Sequence, residues 1–129
     1  MSGEQDLGQL LARMEPILER EPWVFVTVEA MPEGIVPLMS FREEEGLTLV
    51  VRPAEARALG LPDTPVFCRI TLGVLSSLEA VGLTAAVAGA LTAVGISANV
   101  VAAYHHDHVF VPAARADDAM ARLSRLRAG

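Results

Sequence analysis

The run His105-His106-Asp107-His108 holds the densest set of cation-binding side chains in the sequence. Side chains alternate across a strand, so His106 and His108 share one face and Asp107 lies on the other. Histidine is a common metal ligand, but two histidines on one short strand need a third ligand from elsewhere. We therefore expect no metal and no cofactor here, and we interpret the run as structural, as the lining of a ligand site or as plainly exposed to solvent.

Other side chains give little support to catalysis. Ser76 and Ser77 would be nucleophiles only beside an aligned base, and nothing in the sequence places a histidine there. Cys68 alternates with Ile70 and Leu72, which favours a small buried hydrophobe over a reactive thiol. The chain has no lysine, which excludes lysine Schiff-base chemistry and the P-loop motif. We expect a protein without catalytic residues.

The composition is that of a small globular protein. Its 129 residues fit one domain or two very small ones, and 52% hydrophobic residues supply a core. The net charge of −6 argues against nucleic acid and an anionic membrane surface as partners. The amino-terminal sequence lacks the basic and apolar regions of a signal peptide, so we expect a cytoplasmic protein.

One uncharged stretch, 80–104, is long enough to span a bilayer. Small and polar residues interrupt it, and no basic residues flank it. We expect a buried helix followed by a buried strand.

The first half predicts a helix, a strand and a hairpin. Asp6 is a plausible helix cap, and the apolar stripe that follows extends to Ile17 and Leu18, with Pro16 ending the helix near residue 15. The elements expected next are a strand over 23–28, hairpin strands over 38–43 and 47–52, and a short helix over 53–59.

The second half predicts strand, helix, strand, strand, helix. The expected elements are strands over 66–74, 96–104 and 109–111, a helix over 82–94 followed by Gly95, and a last helix from Asp117. This order is a ferredoxin-like βαββα that lacks its final strand, and a strand of the first half could complete the sheet. The segment 61–65 is the best linker. We therefore divide the chain into modules 1–62 and 63–129.

Residues 81–101, VGLTAAVAGALTAVGISANVV, resemble the ACT domain, with a glycine at a strand–helix turn, an apolar helix and a Gly-Ile-Ser lead into the next strand. The continuation 104–112, YHHDHVFVP, is similar to small bacterial tandem-ACT proteins and to the ACT modules of CASTOR-type arginine sensors. The resemblance is strong over 66–126 and weaker over 1–62. It implies an α/β (α+β sandwich) fold of tandem ferredoxin-like ACT modules, with antiparallel sheets and helices on one face.

The resemblance also implies an amino-acid site where the loop before the first helix meets the second strand. In the arginine-sensing relatives an aspartate matching Asp107 faces the cationic side of the ligand. Free N–H groups at the helix start can hold a carboxylate, and Glu79 or Asp107 can hold an ammonium or guanidinium group. The residues carried over as ligand-binding are Ser76, Ser77, Leu78, Glu79, Val81, Gly82, Leu83, Thr84, Asn99, Val100, Val101 and Asp107.

Three hypotheses follow. The first is a non-catalytic regulatory protein that binds a small molecule, for which an amino acid is our first choice. This protein would form a homodimer and act on a separate protein effector. The alternative is a ligand-free interaction or dimerisation module, in which Asp107 and the 76–82 loop can be changed without effect. The third is a small metal-dependent enzyme that uses His106 and His108.

Overall fold

The computed structural model describes residues 6–74 and 81–128 of the chain. The chain forms two compact units: a discontinuous unit, Met1–Arg20 with Cys68–Gly129, and an insert unit, Glu21–Phe67. The elements in chain order are α1 (Leu7–Arg13), β1 (Pro16–Val28), β2 (Met39–Glu43), β3 (Gly46–Val51), α2 (Pro53–Ala58), β4 (Phe67–Leu72), α3 (Leu83–Thr92), β5 (Asn99–Ala102), β6 (Asp107–Pro112), a 3-10 turn (Ala113–Arg115) and α4 (Ala116–Ala128).

The sheet of the discontinuous unit runs β1-β4-β6-β5, with β1 contributing its first residues. Strands β5 and β6 are antiparallel, and Val100 lies opposite Val109. At the other edge the Gly73 N–H donates to the Glu15 carbonyl at 2.8 Å. The start of β1 therefore supplies the strand that β4, α3, β5, β6 and α4 lack, which confirms the predicted completion of a ferredoxin-like βαββα from the first half.

The core of this unit lies between one face of the sheet and the helices α1, α3 and α4. Alternation along β4 directs Cys68, Ile70 and Leu72 into that core, as the sequence pattern predicts. Helix α3 ends at Thr92, two residues before the predicted end. Gly95 follows with φ +75°, and the Ile96 N–H bonds back to the Leu91 carbonyl at 3.0 Å. The prediction of tandem ferredoxin-like α/β modules with helices on one face is confirmed.

The insert unit is an antiparallel sheet in the order β2-β3-β1, with helix α2. Phe25 of β1 lies opposite Val50 of β3, and Phe41 of β2 lies opposite Thr48 of β3, so β2 and β3 form the predicted hairpin. One sheet face and α2 enclose a small apolar core formed by Val24, Val26, Leu49, Val51 and Ala56.

The first helix is shorter than predicted. It ends at Arg13, and Ile17 and Leu18 lie on β1, which begins at Pro16 rather than at residue 23. The helical spacing of those two residues is overridden because β1 pairs with β4 along this segment.

The division of the sequence at 62/63 stays a prediction. Of the uncharged stretch 80–104, the described part forms α3 and β5. No helix among the described residues has the length and apolar character that a membrane span requires.

Candidate functional site

The start of α3 and the start of β6 lie at the same end of the discontinuous unit. The guanidinium of Arg115, just after β6, donates to the Val94 carbonyl beyond the carboxyl end of α3 at 3.2 Å. That contact places the carboxyl ends of β6 and α3 together. The Val74 carbonyl, just after β4, is 3.3 Å from His106 Nδ1 and joins the carboxyl end of β4 to the start of β6.

The amino end of α3 begins at a glycine. Its N-cap is Gly82, which is in the left-handed region with φ +102° and has no side chain with which to cap the helix. The first intrahelical bond at this end runs from the Ala86 N–H to the Gly82 carbonyl at 2.9 Å. The preceding N–H groups, including those of Leu83 and Thr84, therefore have no acceptor within the helix and can bind an anionic group.

Asp107 is the buried acid of this end of the unit. It alternates along β6 with Val109 and Val111, which belong to the core, so its side chain lies on the helix-covered face. Only 9% of the residue is exposed. Burial raises the pKa of the Asp107 carboxyl, and the neighbouring His106 opposes part of that rise.

A largely buried carboxylate is costly to keep ionised, and a cationic group that pairs with it relieves that cost. The open N–H groups of α3 and the Asp107 carboxylate thus offer opposite charges at one end of the unit. This arrangement is suited to a small zwitterion.

The two histidines beside Asp107 are occupied by structural contacts. His106 Nδ1 contacts the Val74 carbonyl, and His108 Nδ1 lies 3.0 Å from Thr71 Oγ1. Burial lowers the pKa of His108, with a further contribution from the positive charge of Arg69. The rings of His106 and His108 meet edge to face, with their centroids 6.5 Å apart. Within residues 6–74 and 81–126, however, no group of three metal-ligating side chains converges.

Strand β5 contributes less than predicted to the Asp107 side. Val100 packs against the core, whereas Val101 lies opposite His108 and therefore faces the other side of the sheet. The Asn99 amide donates to the Phe110 carbonyl at 3.3 Å, toward the far end of β6. Val81 is 80% exposed just before α3. The predicted residues Ser76, Ser77, Leu78 and Glu79 lie outside the described residues.

Sequence reasoning missed one neighbour of the site, Leu7 of α1. A Cβ atom on Gly82 would lie 2.9 Å from Leu7 Cδ2, so the Leu7 side chain packs directly on the residue that begins α3. No local signal in the sequence connects these two residues, since 75 positions separate them.

The chain matches two family models, each described as an ACT domain, over residues 2–69 and 69–125. No curated protein sequence matches it. Among solved structures, a Vibrio cholerae protein described as a possible transport protein is 44% identical, with 94% of this chain and 95% of that chain covered and a TM-score of 0.84.

More distant structures share the fold. The ligand-free regulatory subunit of aspartate kinase from Thermus thermophilus is 10% identical, with 90% of this chain and 98% of that chain covered and a TM-score of 0.61. A protein from Agrobacterium tumefaciens is 18% identical, with 82% and 81% covered and a TM-score of 0.61. The two family matches together span most of the sequence. The chain therefore belongs to the ACT-domain family, with two ACT domains in tandem.

Proposed function

We propose that this chain is a non-catalytic regulatory protein that binds an α-amino acid between the amino end of α3 and Asp107. The single observation that carries the proposal is the burial of Asp107, a residue only 9% exposed, on the helix-covered face of the sheet at the start of β6. The family relationship and the fold shared with an aspartate kinase regulatory subunit support a regulatory role.

The charges expected on the ligand follow from the two parts of the site, the start of α3 and Asp107. The α-carboxylate binds the open N–H groups after Gly82, where the helix dipole favours negative charge. The ammonium group, or a guanidinium group of arginine, pairs with Asp107. The similarity of 104–112 to arginine-sensing ACT modules makes arginine the first cationic amino acid to test.

Regulation then requires a separate protein whose binding depends on whether this site holds its ligand. A ligand that favours one arrangement of the protein changes what a partner binds, and the coupling is reciprocal. We propose a cytoplasmic homodimer that acts on a separate protein effector. The uncharged sequence of α3, with Ala85 and Gly89 exposed, is compatible with close approach of a second copy.

The test is a thermal-shift screen of the purified full-length chain against the twenty protein amino acids, each at millimolar concentration. A ligand present at about 100 times its Kd adds about 2.7 kcal/mol to the free energy of unfolding. We expect one amino acid or one chemical group of them to raise the Tm.

The matched pair Asp107→Asn and Asp118→Asn assigns the binding to the site. Asp107→Asn keeps the shape and removes the charge, so it should abolish the shift, whereas Asp118 is an exposed acid on α4 and its variant should keep it. A shift that survives in Asp107→Asn would contradict the site. A screen without any shift would favour the ligand-free interaction module instead.

A further inference from the structure

Helix α1 is attached differently at its two ends. Near its carboxyl end, Leu10 and Met14 are fully buried, and the next residue, Glu15, accepts a hydrogen bond from the Gly73 N–H. At its amino end, Leu7 is only partly buried and packs on Gly82, the first residue of the candidate site. The Leu7 contact is therefore the peripheral attachment of α1, and its loss lowers the cost of detaching the helix from the core.

We propose that α1 is a ligand-responsive strap whose seating on Gly82 is coupled to occupancy of the α3 amino end. This inference rests on the proposed function. A carboxylate bound to the N–H groups that follow Gly82 fixes the backbone on which Leu7 packs, so ligand binding and α1 seating stabilise each other. Because α1 leads directly into β1, and β1 belongs to both compact units, the strap is also continuous with the insert unit.

Trypsin gives a direct readout of α1 detachment. Arg13 is exposed and ends the helix, while Met14 after it is fully buried. Cleavage of the bond between them requires this segment to leave the core, so the cleavage rate follows the population of the opened state. The released fragment, residues 1–13, is measured by mass spectrometry. Cleavage after Arg57, which is exposed on α2, reports the opening of the insert unit in the same digest.

The first comparison needs no ligand. Gly82→Ala adds a methyl group 2.9 Å from Leu7 Cδ2 and should displace the strap. Gly95→Ala is its matched control, because Gly95 also has a positive φ, +75°, but a Cβ there meets nothing within 4 Å. We expect Gly82→Ala to speed cleavage after Arg13 by about 5- to 30-fold relative to Gly95→Ala, the factor expected when a contact of ordinary size is lost.

Leu7→Ala separates displacement of the strap from damage to α3. It removes the contact without straining the Gly82 backbone, so it should also speed cleavage after Arg13. In the Leu7→Ala background, Gly82→Ala should add no more than Gly95→Ala does, because the side chain it displaces is gone and only the strain of a positive φ remains. Full additivity of the two substitutions, or equal cleavage of Gly82→Ala and Gly95→Ala, would overturn the strap.

The second comparison uses the amino acid that gives the largest Tm rise among the twenty. At about 100 times its Kd, a ligand that binds only the seated state slows cleavage after Arg13 by about 100-fold. The slowing should exceed that after Arg57 and should be weaker in Leu7→Ala. A Tm rise without selective protection of Arg13 would overturn the strap and leave the proposed function standing. If no amino acid raises the Tm, the proposed function fails and the strap fails with it.

Discussion

Helices α2 and α3 begin in opposite ways. At the start of α2, the Arg52 N–H donates to the Glu55 carboxylate at 3.0 Å, and Pro53 at the first position has no N–H to satisfy. At the start of α3, Gly82 offers no side chain, and the first N–H groups stay open. A helix start of the second kind can bind an anionic group, which is the role that we propose for the start of α3.

The two units also differ in whether they bury charged side chains. In the insert unit, the core is apolar, and the pair Arg57–Asp63 lies on the surface. The buried side-chain donor that lacks a partner there, Trp23 Nε1, is neutral. The discontinuous unit instead buries Asp107 and leaves only 21% of the Arg69 side chain exposed. Buried charge is costly, so its confinement to one unit supports our placement of the proposed ligand site in that unit.

The largest effect we expect comes from the apolar core of the insert unit. Leu49→Ala removes a fully buried side chain and should lower the free energy of unfolding by about 2–5 kcal/mol, because the cavity is only partly filled by relaxation. Hydrogen exchange should show loss of protection in β3 before α3 and β6, since these belong to different units. The control, Val36→Ala, changes a residue that is 91% exposed and should stay within about 0.5 kcal/mol. Equal loss of protection in both units would contradict the division of the cores.

A largely buried acid should make the apo protein less stable. The native pKa of Asp107 is raised above its ordinary value of 3.8, so the stability contributed by its protonated form is fully present below that value and is lost as pH rises through the native pKa. We therefore expect Asp107→Asn to be more stable than the natural chain near neutral pH, by about 1 kcal/mol, with the difference shrinking in acid.

Urea unfolding at a series of pH values measures this difference. Asp118→Asn, which changes an exposed acid paired with Arg115, is the control and should run parallel to the natural chain. A constant offset between Asp107→Asn and the natural chain at all pH values would show that ionisation of Asp107 is not the cause.

The capped start of α2 should carry a smaller but measurable share of stability. Glu55→Ala removes the acceptor of the Arg52 N–H and should lower the free energy of unfolding by about 0.5–2 kcal/mol. Glu33→Ala, at an exposed loop position of the same unit, makes the same change without touching a helix start. Thermal unfolding of the two variants should separate them by several degrees. Equal Tm values would remove the contrast between α2 and α3.

Local patterns account for most of the fold. The apolar spacing of α3, its Gly95 terminus and the hairpin of β2 and β3 follow from periods and turn chemistry that act within a few residues. The start of β1 could not be predicted this way. Ile17 and Leu18 continue a helical stripe, and only pairing with β4, far along the chain, makes them a strand.

The residues of the candidate site also divide into those that local sequence patterns identify and those that depend on long-range contacts. Asp107 and Gly82 were identified through the ACT resemblance of their own segments, and residues 76–79 stay a prediction. The alternation of β5 and β6 determines which side chains share the Asp107 face, and it excludes that of Val101. Leu7 could not be found at all, since its contact with Gly82 depends on how α1 packs.

The smallest effect concerns the surface pair of the insert unit. The Arg57 guanidinium donates to the Asp63 carboxylate at 2.9 Å, and this hydrogen bond holds the pKa of Asp63 below its ordinary value. Such a lowered pKa contributes stability that is present above the ordinary value and is lost as pH falls through the lowered one. In Arg57→Ala, carboxyl titration by NMR should show the pKa of Asp63 rising toward 3.8.

Added salt should produce part of the same rise in the natural chain, because exposed charges are screened. The pKa of Asp107 should respond far less to salt, because its shift comes from burial, and an equal response of the two acids would contradict the contrast between the units.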